Sequence, residues 1–184
     1  DVDLAYLIER VVDRIHDDQV KWLVRYGVVP RLLTRAIVQD VLVRFMIAGL
    51  RGQAQQDDAT QDPAVEPQLS SQPFPVVTAD SLSVDPEALW QTLYRYTAEY
   101  SWVMADEAAD ALRFHQDVVE PMRRLLRKHL AAGRRILPDL HAACVAYYAE
   151  RAAADPAHSA HYLREAVSHK LQTGDPAADA YWLN

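Results

Sequence analysis

His158, His161, Glu165 and His169 are the residues whose types and spacing most directly suggest chemistry. On a helix, at about 100° per residue, they share a sector of about 80°. Imidazole changes charge near neutral pH and is the commonest metal ligand. Three imidazoles and a carboxylate on one face are therefore candidate ligands for a divalent metal. The rise from His158 to His169 is about 16 Å, whereas ligand bonds are about 2 Å long. One ion can thus be shared only by a pair one turn apart, His161 with Glu165 or Glu165 with His169, completed from elsewhere. A solvated polar face and a pH-sensitive contact surface are the alternatives. Ala160, Leu163, Val167 and Leu171 form the apolar stripe of this helix, so the four polar residues are expected to face solvent or another chain.

A second constellation is basic. Arg123, Arg124, Arg127, Lys128, Arg134 and Arg135 occur with no acid between Glu120 and Asp139. On a helix Arg123, Arg124, Arg127 and Lys128 cover one side, and Met122, Leu125, Leu126 and Leu130 the other. Four cations on one side attract an acidic protein surface, the chain's own acidic loop, or nucleic acid. Within this run Arg124 and His129 have an Arg-x4-His spacing that resembles helical ribonucleases of the HEPN class over those residues. The polar residue that often follows the Arg in that class is absent. The resemblance implies a nuclease-like alternative.

Other chemistry finds little purchase. No Glu-x-x-His, the ligand pattern of helical di-metal sites, occurs in the chain. With 5 glycines in 184 residues, phosphate-cradling loops, dinucleotide fingerprints and nucleophile elbows are missing. Cys144 is alone, so neither an intrachain disulfide nor a cysteine zinc motif can form; this suits a reducing, cytoplasmic setting. His115 is expected in the core, in line with Val119, Met122 and Leu126. Trp90 and Tyr94 lie off the main stripe of their helix and are candidate contacts with a partner.

The elements that must position these residues read as helices. Few glycines, abundant Ala, Leu, Arg and Gln, and scarce β-branched alternation favour helix over strand. A first helix carries Leu4, Leu7, Ile8, Val11 and Ile15 on one face and reaches Tyr26, with a bend possible near Asp17-Asp18. Gly27 closes it, and Pro30 opens a second, nearly all-apolar helix to Leu50. Arg31, Arg35, Asp40 and Arg44 interrupt that helix and argue against a membrane span. Residues 52–85 carry 6 acids and no Lys or Arg, and with their Gln and Pro they read as an acidic loop or linker. Phe74-Pro75-Val76-Val77 is its one apolar patch, a candidate strap.

Asp85-Pro86-Glu87 reads as N-cap, first turn and dipole-favourable acid. A further helix is expected from Asp106 to Leu130, kinked or split by Pro121, followed by helices opened by Pro138 and by Asp155-Pro156. The expectation is an all-α chain: a single irregular bundle of about seven helices. Residues 1–51 form an N-terminal helical pair, 52–85 the loop, and 86–184 a C-terminal bundle packed with 1–51 as one domain. Net charge is −7, but residues 1–51 and 86–184 stand at only +1 and −2. The leading functional expectation is a non-enzymatic protein–protein interaction module, an adaptor or small subunit of a complex, with no cofactor. The alternatives are a helical enzyme, nuclease-like or with a His/carboxylate metal site, and an RNA- or DNA-binding subunit using the 123–135 cluster.

Overall fold

Asp17 starts the first described helix. Its carboxylate accepts from the backbone N–H groups of Gln19 at 2.8 Å and Val20 at 3.2 Å, two donors that no intrahelical carbonyl reaches. Helix α1 follows as Asp18–Gly27, with Val20, Leu23, Val24 and Tyr26 buried. The structure is a computed structural model that describes residues 15, 17–59, 83–131 and 135–173. The apolar face of residues 4–11, the Phe74–Val77 strap and the final aromatic turn lie outside the described residues.

Pro30 does not open the second helix. The residue before a proline is disfavoured in the α region, and the chain instead makes a turn over 28–32 and a short strand, β1 (Leu33–Thr34). The Thr34 hydroxyl then accepts from the Ile37 N–H at 3.2 Å and caps helix α2. This helix begins at Arg35–Ile37, widens into a π-turn at Val38–Leu42 and continues as Val43–Ala59. The acidic segment therefore begins helical, since 52–59 belong to α2. Where α1 crosses α2, Gly49 sits against the Trp22 ring, so close that a Cβ there would lie 2.9 Å from Cε3.

Asp85 behaves as its sequence indicates. It accepts from the N–H groups of Glu87 at 3.0 Å and Ala88 at 3.1 Å, and α3 follows as Pro86–Glu99. The next stretch departs from the expectation of a helix from Asp106. Val103–Asp106 (β2) and Ala111–Phe114 (β3) form an antiparallel hairpin, joined by one 3-10 turn. β3 also pairs with β1, Leu33 opposite Leu112, giving a three-stranded sheet in the order β1-β3-β2. Asp110 makes the reversal in the left-handed region, φ 43°, where Asp is among the better-tolerated residues. Asp106 ties the hairpin together: one carboxylate oxygen accepts from the Ala109 N–H, the other from Arg113 Nε at 2.9 Å. The chain is thus mostly helical but not all-α.

Three helices complete the fold: α4 (Gln116–Ala131), α5 (Ile136–Ala154) and α6 (Ser159–Gln172). Pro121 lies in the second turn of α4 without splitting it; its missing N–H removes one helical hydrogen bond. α5 and α6 pair closely along their length, and α5 also packs on the π-turn of α2, where Arg151 Nη2 donates to Asp40 at 3.3 Å. Six helices are present among the described residues, and their buried apolar side chains, from Ile15 and Leu23 to Leu140 and Ala166, form one core.

Candidate functional site

The sheet, α4 and the α5–α6 pair meet at a cleft of about 500 Å3. Each basic side chain reaches it from a different element. Arg31 comes from the turn after α1. Arg113 is the outward residue of β3, between buried Leu112 and Phe114. Arg123 lies two residues beyond Pro121 on α4 and is half-buried, donating from Nη2 to the Val29 carbonyl at 3.1 Å. His115, His141 and His169 also line the cleft, together with Ser168, Gln172 and the exposed apolar Met104. None of its lining residues is Asp or Glu. Neighbouring carboxylates offset part of the charge: Asp106 holds Arg113 at 2.8 Å, and Glu165 lies 3.6 Å from Arg31.

His115 caps α4. Its backbone carbonyl accepts from Val118 and Val119, and its ring Nδ1 accepts from the Asp117 N–H at 3.3 Å. His115, Gln116 and Val119 at the start of α4 line the cleft, and the positive end of the helix dipole adds to the arginines, offset in part by Asp117 in the same turn.

Deeper in, His141 of α5 and His169 of α6 meet Nδ1 to Nδ1 at 2.9 Å. One ring must donate and the other accept, so at least the accepting ring is neutral while the bond is intact. Burial pushes the pKa of His141 down to about 4, helped by Arg123 and Arg127. Burial likewise pushes His169 down to about 3, helped by His141, Arg123 and Arg31. The Tyr148 ring stacks on His169 at 5.8 Å, and burial pushes the Tyr148 hydroxyl well above its usual value. Two nitrogens at the cleft, Arg123 Nε and His169 Nε2, are buried without a hydrogen-bond partner among the described residues. Arg123 Nε is always a donor. His169 Nε2 carries a proton whenever its Nδ1 is the acceptor.

No family model matches the chain, and neither a curated protein nor a solved structure matches it.

The four residues of the histidine helix do not share a face. His158 stays outside, bonded to Asp155 at 2.8 Å, and His161 is exposed. Glu165 and His169 are buried, at 5% and 2% exposure, while Leu163 and Leu171 of the expected apolar stripe are exposed at 43% and 53%. The inward arc of α6 runs instead through Tyr162, Glu165, Ala166 and His169. Ala166 is small enough for α5 to pack close, and His141 and Tyr148 on α5 give His169 its partners. Among the described residues, no group of three or more His, Cys, Asp or Glu side chains is arranged to hold a metal ion.

The basic run is also divided. Arg123 turns into the cleft, whereas Arg124 and Arg127 lie outside at 3.5 and 3.2 Å from Glu120. Arg135 is exposed at the start of α5. Nothing is described of the Lys128 and His129 side chains or of Arg134. Trp90 is not an outward contact: it is 1% exposed between Leu89 and Leu93, with Arg35 over its ring at 5.7 Å. Tyr94 is exposed at 42%. His115 is exposed rather than buried, because the helix begins at Gln116 and makes it a cap.

Arg31, Arg113 and His141 were not singled out by sequence. Arg113 had one usable signal, its polar position in the apolar run Ala111-Leu112-Arg113-Phe114. Arg31 and His141 had none, since their role depends on what the fold places opposite them.

Proposed function

We propose that this chain is a non-enzymatic interaction module, an adaptor or small subunit, that docks an acidic segment of a partner protein in the cleft between β3, α4 and α6. The observation that carries this reading is the lining itself: Arg31, Arg113 and Arg123 converge there with no carboxylate among the lining residues. Exposed Met104 at the same cleft adds an apolar foothold. Such a combination suits a short acidic segment with one hydrophobic anchor.

The histidine pair supports binding over catalysis. A general base works best with a pKa near the working pH, and His141 at about 4 is a weak base at neutrality. Outside the cleft, the 123–135 basic run offers nucleic acid less than its count of cations suggests, because Glu120 lies 3.5 Å from Arg124 and 3.2 Å from Arg127. No helix among the described residues is long and apolar enough to cross a membrane.

Fluorescence anisotropy with a labelled Glu-rich peptide and an RNA oligonucleotide of equal charge tests the reading. The peptide is expected to bind, and Arg113→Gln to weaken it about tenfold, the loss of roughly one charge-assisted hydrogen bond. Preference for the RNA, or peptide binding indifferent to Arg113→Gln, contradicts it.

A further inference from the structure

We propose that the deep end of this cleft is a phosphoryl-binding site, built for the dianionic head of a phosphomonoester. The inference rests on the reading of the cleft as the docking site and goes further by naming the chemical group recognised.

Among the side chains that line the cleft, the buried unpartnered atoms are both nitrogens, which points to an acceptor-only ligand; buried Glu165 Oε2 is unpartnered too but belongs to a residue outside the lining. Arg123 Nε is a buried N–H with no acceptor among the described residues, on a side chain that lines the cavity. A buried donor without a partner is uncommon in a folded protein and calls for an explanation. His169 is 2% exposed, lines the same cavity and has no partner for Nε2 among the described residues. If His141 donates its Nδ1 proton to His169 across their 2.9 Å bond, His169 Nε2 becomes a second N–H donor of the same kind. An oxyanion answers both, and its binding selects that tautomer of the pair.

Charge and shape favour phosphate over a single carboxylate. Guanidinium groups match phosphate oxygens in forked geometry. Arg31 and Arg113 keep exposed side chains, at 58% and 54%, with donors beyond those used on Glu165 and Asp106. The opening turn of α4 adds its dipole. Arg31, Arg113, Arg123 and His169 come from four different elements, and a phosphoryl group has more oxygens to share among them than a carboxylate. A volume of about 500 Å3 leaves room for what the phosphate is attached to. That carrier is either a small phosphorylated molecule or a phosphorylated side chain of the docked segment.

Calorimetric titration of the whole chain separates these cases, using inorganic phosphate, phenyl phosphate, a phosphoserine peptide and the same peptide with aspartate. Phosphate and phenyl phosphate are expected to bind, and Arg113→Gln to weaken both about tenfold. Because Arg31 sits beside buried Glu165, its test is the double variant Arg31→Gln/Glu165→Gln, with a circular-dichroism melt confirming the fold. Tighter binding of the phosphoserine peptide than of phenyl phosphate assigns the carrier to a protein, and the reverse to a small molecule; either supports the site. Phosphate binding unchanged in folded variants overturns it. If the aspartate peptide binds and inorganic phosphate does not at about 10 mM, the phosphoryl inference fails while the docking reading stands. If nothing binds, both fail.

Discussion

His141 and His169, from neighbouring helices, face each other Nδ1 to Nδ1 at 2.9 Å, and a single proton between them sets the tautomer of both rings. The pair joins α5 to α6 beneath the cationic cleft, so it links the stability of the helix pair to the chemistry of the site.

Removing one member should strand the other. His141→Ala leaves the buried His169 ring with both nitrogens unpartnered. The expected cost is about 1–3 kcal/mol, read as a lower urea midpoint at unchanged slope. A double-mutant cycle with His169→Ala should show non-additivity, because the second change removes the stranded ring. Additive losses would mean that the two rings do not interact.

Acid should weaken the fold through the same pair. Both rings titrate below 6.5 in the folded protein, His141 at about 4 and His169 at about 3. Between those values and 6.5 the unfolded chain binds more protons than the folded one, so stability rises with pH across that window. The contribution is complete above 6.5 and is lost as pH falls towards 4 and then 3. Each ring adds at most about 1.4 kcal/mol per pH unit. Melting temperatures measured from neutral to acid pH should fall through this window, and the fall should be shallower in His141→Gln/His169→Gln. A double variant as acid-sensitive as the parent would refute the assignment.

Gly49 should resist replacement even though it lies inside a helix. Gly to Ala in a helix normally gains about 1 kcal/mol. Here the new Cβ would meet the Trp22 ring at 2.9 Å, and overpacking of that kind costs about 1–3 kcal/mol. Gly49→Ala is therefore expected to destabilise, with Trp22 fluorescence shifted as the ring moves. A stabilised variant with an unshifted spectrum would contradict the close α1–α2 crossing.

Cys144 should be inert in the native protein. It is fully buried, and burial pushes its thiol up to about 12, which leaves almost no thiolate at neutral pH. A thiol reagent should react only at the rate of unfolding, and addition of urea should accelerate it steeply. Immediate stoichiometric reaction without denaturant would place this thiol at the surface.

The parts of the fold legible in sequence are those set by local chemistry. Asp85-Pro86-Glu87 specifies a helix start from three adjacent residues, and α3 begins there. At Asp17 the sequence indicates no more than a possible bend, whereas the structure caps and starts a helix there. Residues 103–114 were illegible for the converse reason. Met104, Ala105, Glu107, Ala108, Ala109 and Leu112 are all good helix formers, and the extended state wins through pairing of β3 with β2 and with Leu33–Thr34, far away in the chain. Tertiary pairing overrides propensity there.

The histidine helix misleads in another way. Leu163 and Leu171 outrank His169 and Glu165 in hydrophobicity, yet the polar pair is buried because α5 presents a matching imidazole and Tyr148. The cleft arginines are scattered over a turn, a strand and a helix, so only folding brings them together. Among the described side chains of the basic run, Arg123 is the one that lines the cleft.

The most direct test of the cationic cleft is a nitrogen-15 NMR titration with the Glu-rich peptide. The account predicts shifts concentrated at Arg31, Arg113, Gln116, Arg123 and Ser168, with side-chain signals of the three arginines moving most. Shifts confined to the outer face of α6 around Leu163 and Leu171, with those arginines unmoved, would contradict it.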